Sequence, residues 1–283
     1  MFRSLFAVGL LAATPVMAED LSFAVTDIEG LEVLQQEFGA FETALEEATG
    51  LSFELFAVNS RTAAVEAMNA DQADFVLTGP AEYVVIKELA EPEIVVGWQR
   101  PDYFAQIVVL ADGPIDSVED LKGQSVSFGS VGSTSQHLGP AQALADLGLA
   151  YGSDYDPQII ARNVAVEALI RGDLAGVGMN FGHLQRIREA FPDQAFKVVA
   201  RGRDLPNDIL VARTGLDEAT VATVRDAFAK DGAKLMEAVL QGEVNAKYAG
   251  GFFLTSIDDS DYDYVRSMYQ TIGVDSFSAF VGD

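Results

Sequence analysis

The sequence predicts an α/β protein of two lobes, each a doubly wound mixed sheet, joined by a two-strand hinge. Three observations carry this expectation. Short apolar runs of strand length alternate with amphipathic stretches of helical period from Leu21 to about Val199, a pattern that implies βα winding and sheets covered by helices. The rhythm stops at "DYFAQIVVLA" (Asp102–Ala111) and then begins again. The last third is mostly helical with one clear strand, "NDILVAR" (Asn207–Arg213), so the chain leaves one lobe, builds another and returns.

The elements follow in order. "LSFAV" from Leu21 is a strand, Leu31 to Thr49 a helix, and "LSFELFAV" a second strand. A helix from about Thr62 to Met68 leads to the strand "ADFVLTGP", and Ile94–Trp98 is another strand. In the second winding, "SVSF", "PQIIA", "AGVGM" and "FKVVA" are strands separated by helices, the first of these helices starting at Ser133. "LDEATVATVRDAFAKDGAKLMEAVL" and "DDSDYDYVRSMYQTIG" are terminal helices. Crossovers are placed near Arg100–Leu110 and Arg203–Arg213, which assigns residues 19–102 and 209–283 to lobe 1 and 103–208 to lobe 2. Two lobes on a double hinge enclose a cleft, and closure around a ligand is the motion such a hinge allows. The lone Trp98, beside the first crossover, is expected to report that motion.

The first eighteen residues read as a cleavable export signal. Arg3 supplies the positive start, Leu5–Ala13 the short apolar run and Val16-Met17-Ala18 the small-residue cleavage site. A periplasmic mature protein beginning near Glu19 is expected. The chain has no cysteine, which removes disulfides, thiolate metal sites and a lipidated cysteine from consideration. Its formal charge is −25, and −26 once the segment carrying Arg3 is cleaved. So acidic a surface repels nucleic acid and anionic membranes, but backbone N–H groups and hydroxyls can still make a local site for a small anion.

"VSFGSVGSTSQHLGP" (Val126–Pro140) offers such a site. An apolar strand runs through a glycine turn and presents Ser133, Thr134 and Ser135 together at a predicted helix start. These hydroxyls either cap the helix or, with its unpartnered N–H groups and dipole, cradle an anion.

Four segments carry a family resemblance: "LTGPAEY" (Leu77–Tyr83), "DSVEDLKGQSVSF" (Asp116–Phe128), "GSTSQHLGP" (Gly132–Pro140) and "LPNDILVAR" (Leu205–Arg213). In order and spacing they resemble the phosphate/phosphite/phosphonate-binding periplasmic proteins of ABC importers, over nearly the whole mature chain. The resemblance implies the type II periplasmic-binding-protein fold and a monomer that binds a small anionic ligand and hands it to an inner-membrane permease. It implies that Ser133, Thr134 and Ser135 hold the phosphoryl oxygens, with Tyr83 nearby from the opposite lobe and Tyr103 at an aromatic position of the family.

The departures are as informative. Gln136 stands where the family has glycine after the triplet, Arg61 where a tyrosine is common, and Arg162 or Asn163 where a histidine falls. An acidic position that reads a ligand amino group falls near Gly182, without a carboxylate. Arg61 and Arg162 facing the cleft would favour a compact oxyanion or one with a second acidic group. Asp208 of "LPND" is expected at the hinge, accepting from the ligand or from the crossover backbone.

Rival readings remain at this stage. The same fold could serve a periplasmic sensor kinase, or Ser133 or Ser135 could be a hydrolase nucleophile with His137. The second lacks a G-x-S-x-G elbow, and His183, the other of the two histidines, has no obvious carboxylate partner in sequence. No metal-ligand spacing is present, "SIDDSDYDY" (Ser256–Tyr264) lacking the glycine and glutamate of a calcium loop. No cofactor is expected.

Overall fold

Strand β1 (Leu21–Val25) belongs to a six-stranded sheet, parallel to the edge strand β2 (Phe53–Phe56) on one side and to β3 (Phe75–Thr78) on the other. The computed structural model describes residues 20–281; the export signal expected over residues 1–18 lies outside them. Beyond β3 come β10 (Asp208–Ala212), antiparallel to both its neighbours, then β4 (Glu93–Trp98) and the two-residue β11 (Phe253–Leu254). The second sheet runs β7 (Asp156–Ile159), β6 (Ser125–Phe128), β8 (Gly176–Asn180), β5 (Phe104–Leu110), β9 (Phe196–Asp204), with β6 parallel to β7 and β8 and with β5 antiparallel to β8 and β9. Both sheets are mixed and both are covered by helices.

Helix α1 (Leu31–Thr49) buries Leu34, Phe38, Phe41 and Leu45, a stripe at helical spacing, against the first sheet. Each such side chain contributes about 1.5–3 kcal/mol of burial. Helix α2 (Arg61–Asn69) is capped by Ser60, whose side chain accepts from the Ala63 N–H. Helix α3 (Pro80–Ala90) starts on a proline, which needs no N–H partner. In the second lobe α4 (Gly139–Asp146), α5 (Arg162–Arg171) and α6 (Phe181–Ala190) follow β6, β7 and β8. Helix α7 (Glu218–Val239) bends at Asp231, and α8 (Asp263–Thr271) packs against α3 of one lobe and α4 of the other.

The crossings are shorter than the sequence suggests. The chain passes from β4 to β5 through residues 99–103 and from β9 to β10 through 205–207. They are stitched together: Leu205 N–H donates to the Tyr103 carbonyl (2.8 Å), Arg100 N–H to Asn207 Oδ1 (3.0 Å), and the Tyr262 hydroxyl to the Asn207 carbonyl (2.9 Å).

Trp98 ends β4, directly before the first crossing. It is fully buried among Phe38, Phe41, Phe228, Tyr248 and Phe253. The last apolar residue of β4 points into the first core, so it reports the integrity of that core.

Candidate functional site

A cleft of about 680 Å³ lies between the two sheets. Its walls come largely from turns that follow the carboxyl ends of parallel strands, where open α/β sheets place their crevices. Asp27 follows β1, Arg61 follows β2, and Gly79, Pro80 and Glu82 follow β3. From the other lobe, Ser130 and Ser133–Gln136 follow β6, Arg162 follows β7, and Asn180, Gly182 and Arg186 follow or end β8. Arg100 and Tyr103 come from the first crossing, and Glu243 and Lys247 from the segment after α7.

The hydroxyl triplet stands at the centre, on a local structure the sequence reading did not anticipate. Gly132 adopts φ 75°, a left-handed turn that favours glycine. Residues Thr134–Leu138 then form a π-helical turn before α4 begins at Gly139. Ser133 occupies the cap position but makes no side-chain capping bond. The Thr134 hydroxyl accepts from the Ala81 N–H at the start of α3, across the cleft, at 3.0 Å. The Ser135 hydroxyl accepts from Asn180 Nδ2 at 3.0 Å. A hydroxyl has one proton to donate; with a Thr134 lone pair engaged by Ala81 its proton is left for an acceptor, while the Ser135 hydroxyl also meets the Tyr103 phenol.

Tyr103 lines the cleft with its ring 3.7 Å from the Arg100 guanidinium carbon. Burial pushes its phenol up to about 12, against the pull of Arg100 and the Ser135 hydroxyl.

Tyr83 does not line this cleft. Its side chain is wholly buried, its ring centroid 4.4 Å from that of Tyr262 and its hydroxyl donating to Asp259 (2.9 Å). Successive helix residues are about 100° apart around the axis; Glu82 takes the cleft direction and Tyr83 is turned towards the C-terminal segment. Asp208 is likewise removed from direct contact. It is 2 % exposed and accepts from Arg100 Nη1 (3.2 Å) and the Tyr248 hydroxyl (2.7 Å), with Lys247 Nζ at 3.3 Å. Burial alone would raise its carboxyl; Arg100, Lys247 and Tyr248 hold it below the ordinary carboxylate range. It anchors the crossings beneath the cleft floor.

The arginines differ from one another. Arg61 lines the cleft but is paired with Glu82 (3.0 Å). Burial and the Asp27 carboxylate push Glu82 up to about 7, against the pull of Arg61. Arg162 lines the cleft and donates through Nε to Gln136 Oε1 at 3.0 Å. The two departures Gln136 and Arg162 thus form one unit, the amide orienting the guanidinium. Burial and the neighbouring Arg186 lower the Arg162 pKa. Asn163 is exposed.

Sequence reasoning missed Asp27, Glu82, Asn180, Arg186 and Lys247. Glu82 carried a signal, since a carboxylate two residues after Gly-Pro, the third position of a helix that begins at the proline, belongs to a helix start. Arg186 carried none, reading as one more charge on the polar face of α6. The carboxylates also correct one inference: an acidic group does face the cleft, from the first lobe.

His137 is fully committed. Its Nδ1 accepts from the Gly132 N–H (3.1 Å) and its Nε2 lies 2.9 Å from the Tyr151 hydroxyl. Burial lowers its pKa to about 4. It holds the glycine turn in place, and neither serine hydroxyl of the triplet has the imidazole as a partner. Among the described residues there is no cluster of three or more His, Cys, Asp or Glu that could hold a metal ion.

Residues 23–271 match the family described as ABC transporter, phosphonate, periplasmic substrate-binding protein. The chain belongs to this family. The family accounts for the two mixed sheets and the cleft between them. Solved structures share the fold at low identity. A binding protein component of an ABC phosphonate transporter from Pseudomonas aeruginosa aligns at TM-score 0.62 and 20 % identity, over 88 % of this chain and 84 % of that one. PhnD1 from Prochlorococcus marinus, in complex with methylphosphonate, aligns at 0.66 and 14 % identity, over 90 % and 98 %. The aliphatic sulphonate binding protein SsuA from Escherichia coli aligns at 0.61 and 17 % identity, over 94 % and 91 %. Among the described residues no helix is long and apolar enough to cross a membrane.

Proposed function

We propose that this periplasmic substrate-binding protein captures a phosphorus oxyanion (phosphonate, phosphite or phosphate) in its cleft and delivers it to an inner-membrane permease of an ABC importer. The lobes that close on it are residues 19–102 with 209–283, and 103–208, and the protein acts as a monomer without catalysis. The observation that carries the reading is the placement of Ser133, Thr134 and Ser135 together in the cleft. The Ala81 N–H occupies a lone pair of Thr134 and Asn180 one of Ser135, which favours these hydroxyls as donors, and a phosphoryl group offers three acceptor oxygens. The Thr134–Ala81 bond also supports closure, because it joins a second-lobe side chain to the first-lobe helix α3.

Ser133 or Ser135 as a hydrolase nucleophile is disfavoured by the commitment of His137 to Gly132 and Tyr151. The test pairs binding with reactivity. Methylphosphonate, phosphite and phosphate are titrated calorimetrically into the mature protein, and a fluorophosphonate probe is applied in parallel. Binding of at least one anion with no serine labelling is expected. Labelling at Ser133 or Ser135 with turnover of a chromogenic ester, or no heat from any of the three anions, would overturn the proposal.

A further inference from the structure

The cleft is larger than a bare oxyanion requires, lying within the range of about 300–1,000 Å³ typical of pockets for whole organic ligands. Its charges are distributed unevenly. On the first-lobe wall, Arg61 is 3.0 Å from Glu82, Lys247 is 3.8 Å from Asp27 and 3.3 Å from Asp208, and Glu243 lines the cleft as a further carboxylate. At the floor, Arg100 is paired with Asp208. On the second-lobe wall, Arg162 and Arg186 face the same space with only neutral partners, Gln136 Oε1 for Arg162 and His183 Nδ1 (3.4 Å) for Arg186. No described carboxylate comes within ion-pair distance of either.

Two guanidiniums held near each other repel. Burial together with Arg162 and Arg186 lowers the His183 pKa to about 3, so the imidazole between them stays neutral and adds no third charge. Such a pair stands next to the hydroxyl triplet through Gln136, which joins the π-helical turn to Arg162. Guanidiniums present planar forks of donors that match carboxylates and phosphates. Gly182, at the start of α6, leaves the wall beside them without a side chain.

We infer that the ligand carries a second anionic group, a carboxylate or a further phosphoryl, on an arm that reaches from the hydroxyl triplet to Arg162 and Arg186. This rests on the oxyanion reading of the triplet and specifies its substrate class: phosphonates or phosphate esters with an acidic arm, rather than alkyl or aminoalkyl ones. The sequence pointed to Arg61 and Arg162 as the two cleft arginines; the first is engaged by Glu82 at 3.0 Å, and Arg186 stands with Arg162 on the second-lobe wall.

The test uses matched pairs of ligands. Phosphonoacetate, 3-phosphonopropionate and 4-phosphonobutyrate are titrated calorimetrically against alkylphosphonates of equal length and against aminoethylphosphonate. At least one acidic-arm ligand is expected to bind about tenfold or more tightly than its alkyl counterpart. In Arg186→Gln and in Arg162→Gln that ratio is expected to fall towards one, and in Arg186→Lys to fall only in part. Thermal unfolding confirms that each variant is folded, and the wild-type series stands by itself should a variant fail to fold. Alkylphosphonates that bind with no advantage for any acidic arm would overturn this inference while leaving the oxyanion reading intact. So would a ratio that survives both glutamine substitutions. Binding of no phosphonate at all would overturn both.

Discussion

Thr134→Val separates a cradle from a cap, because valine keeps the shape of threonine while removing its hydroxyl. In this fold that hydroxyl does two things at once: it accepts from the Ala81 N–H of the opposite lobe at 3.0 Å, and it holds a proton for the ligand. Losing the charge-assisted bond costs about 1.5–3 kcal/mol, and leaving the Ala81 N–H unsatisfied on closure costs about 1–3 kcal/mol. The two are coupled through one atom and do not simply add, so a loss of about 2–4 kcal/mol is expected, roughly 30- to 1,000-fold in affinity. Ser133 makes no side-chain cap, so the loss of ligand-free stability is confined to the buried Thr134–Ala81 bond, about 1–3 kcal/mol. Calorimetry with the tightest anion and denaturant unfolding without ligand are run on wild type, Thr134→Val and Thr134→Ser, the serine variant retaining most of the affinity. A loss below about threefold in Thr134→Val, or a large fall in ligand-free stability with affinity unchanged, would refute the reasoning.

The remaining expectations concern charge. Glu82 has its pKa raised to about 7 from the ordinary 4.5, so the unfolded chain ionises first and stability is lost as pH rises from 4.5 to 7. The loss is on the order of 3 kcal/mol, and Glu82→Gln should flatten that limb of a pH series of unfolding midpoints; an unchanged limb would contradict it. His137 and His183 have pKa values lowered to about 4 and 3 by burial, helped for His183 by Arg162 and Arg186. Their contribution is complete above pH 6.5 and is lost as pH falls towards those values. Neither ring should titrate in NMR spectra of the folded protein above about pH 5, and a midpoint near 6.5 would contradict the buried neutral state. Asp208→Ala leaves Arg100 buried without its counter-ion and should cost about 3–5 kcal/mol of folding stability. A loss of affinity with stability intact would instead make Asp208 a ligand contact.

The strands were legible because apolar runs at strand length are dense and well separated, and because Gly-Pro, Ser and Asn mark the helix starts that follow β3, β2 and β8. The triplet was legible for a different reason: three hydroxyls after a glycine turn make little sense as core. What the sequence hid is set by rotation and by distant pairing. Glu82 and Tyr83 are adjacent, yet one enters the cleft and the other the C-terminal packing, a choice made by the position of Tyr262 and Asp259 nearly two hundred residues on. The π-helical turn at Thr134–Leu138 was read as ordinary helix because its hydrogen-bond shift leaves no mark in composition. Arg61 and Arg186 look alike in sequence. One has Glu82 for a partner and the other has His183.

The central claim is that the hydroxyl triplet holds a phosphoryl group against the start of α3, and a crystal structure grown with methylphosphonate tests it most directly. The account predicts phosphorus density in the cleft, with phosphonate oxygens within hydrogen-bond distance of the Ser133, Thr134 and Ser135 hydroxyls and the Thr134–Ala81 contact in place. A phosphonate bound elsewhere, or a cleft without phosphorus at saturating ligand, would contradict it.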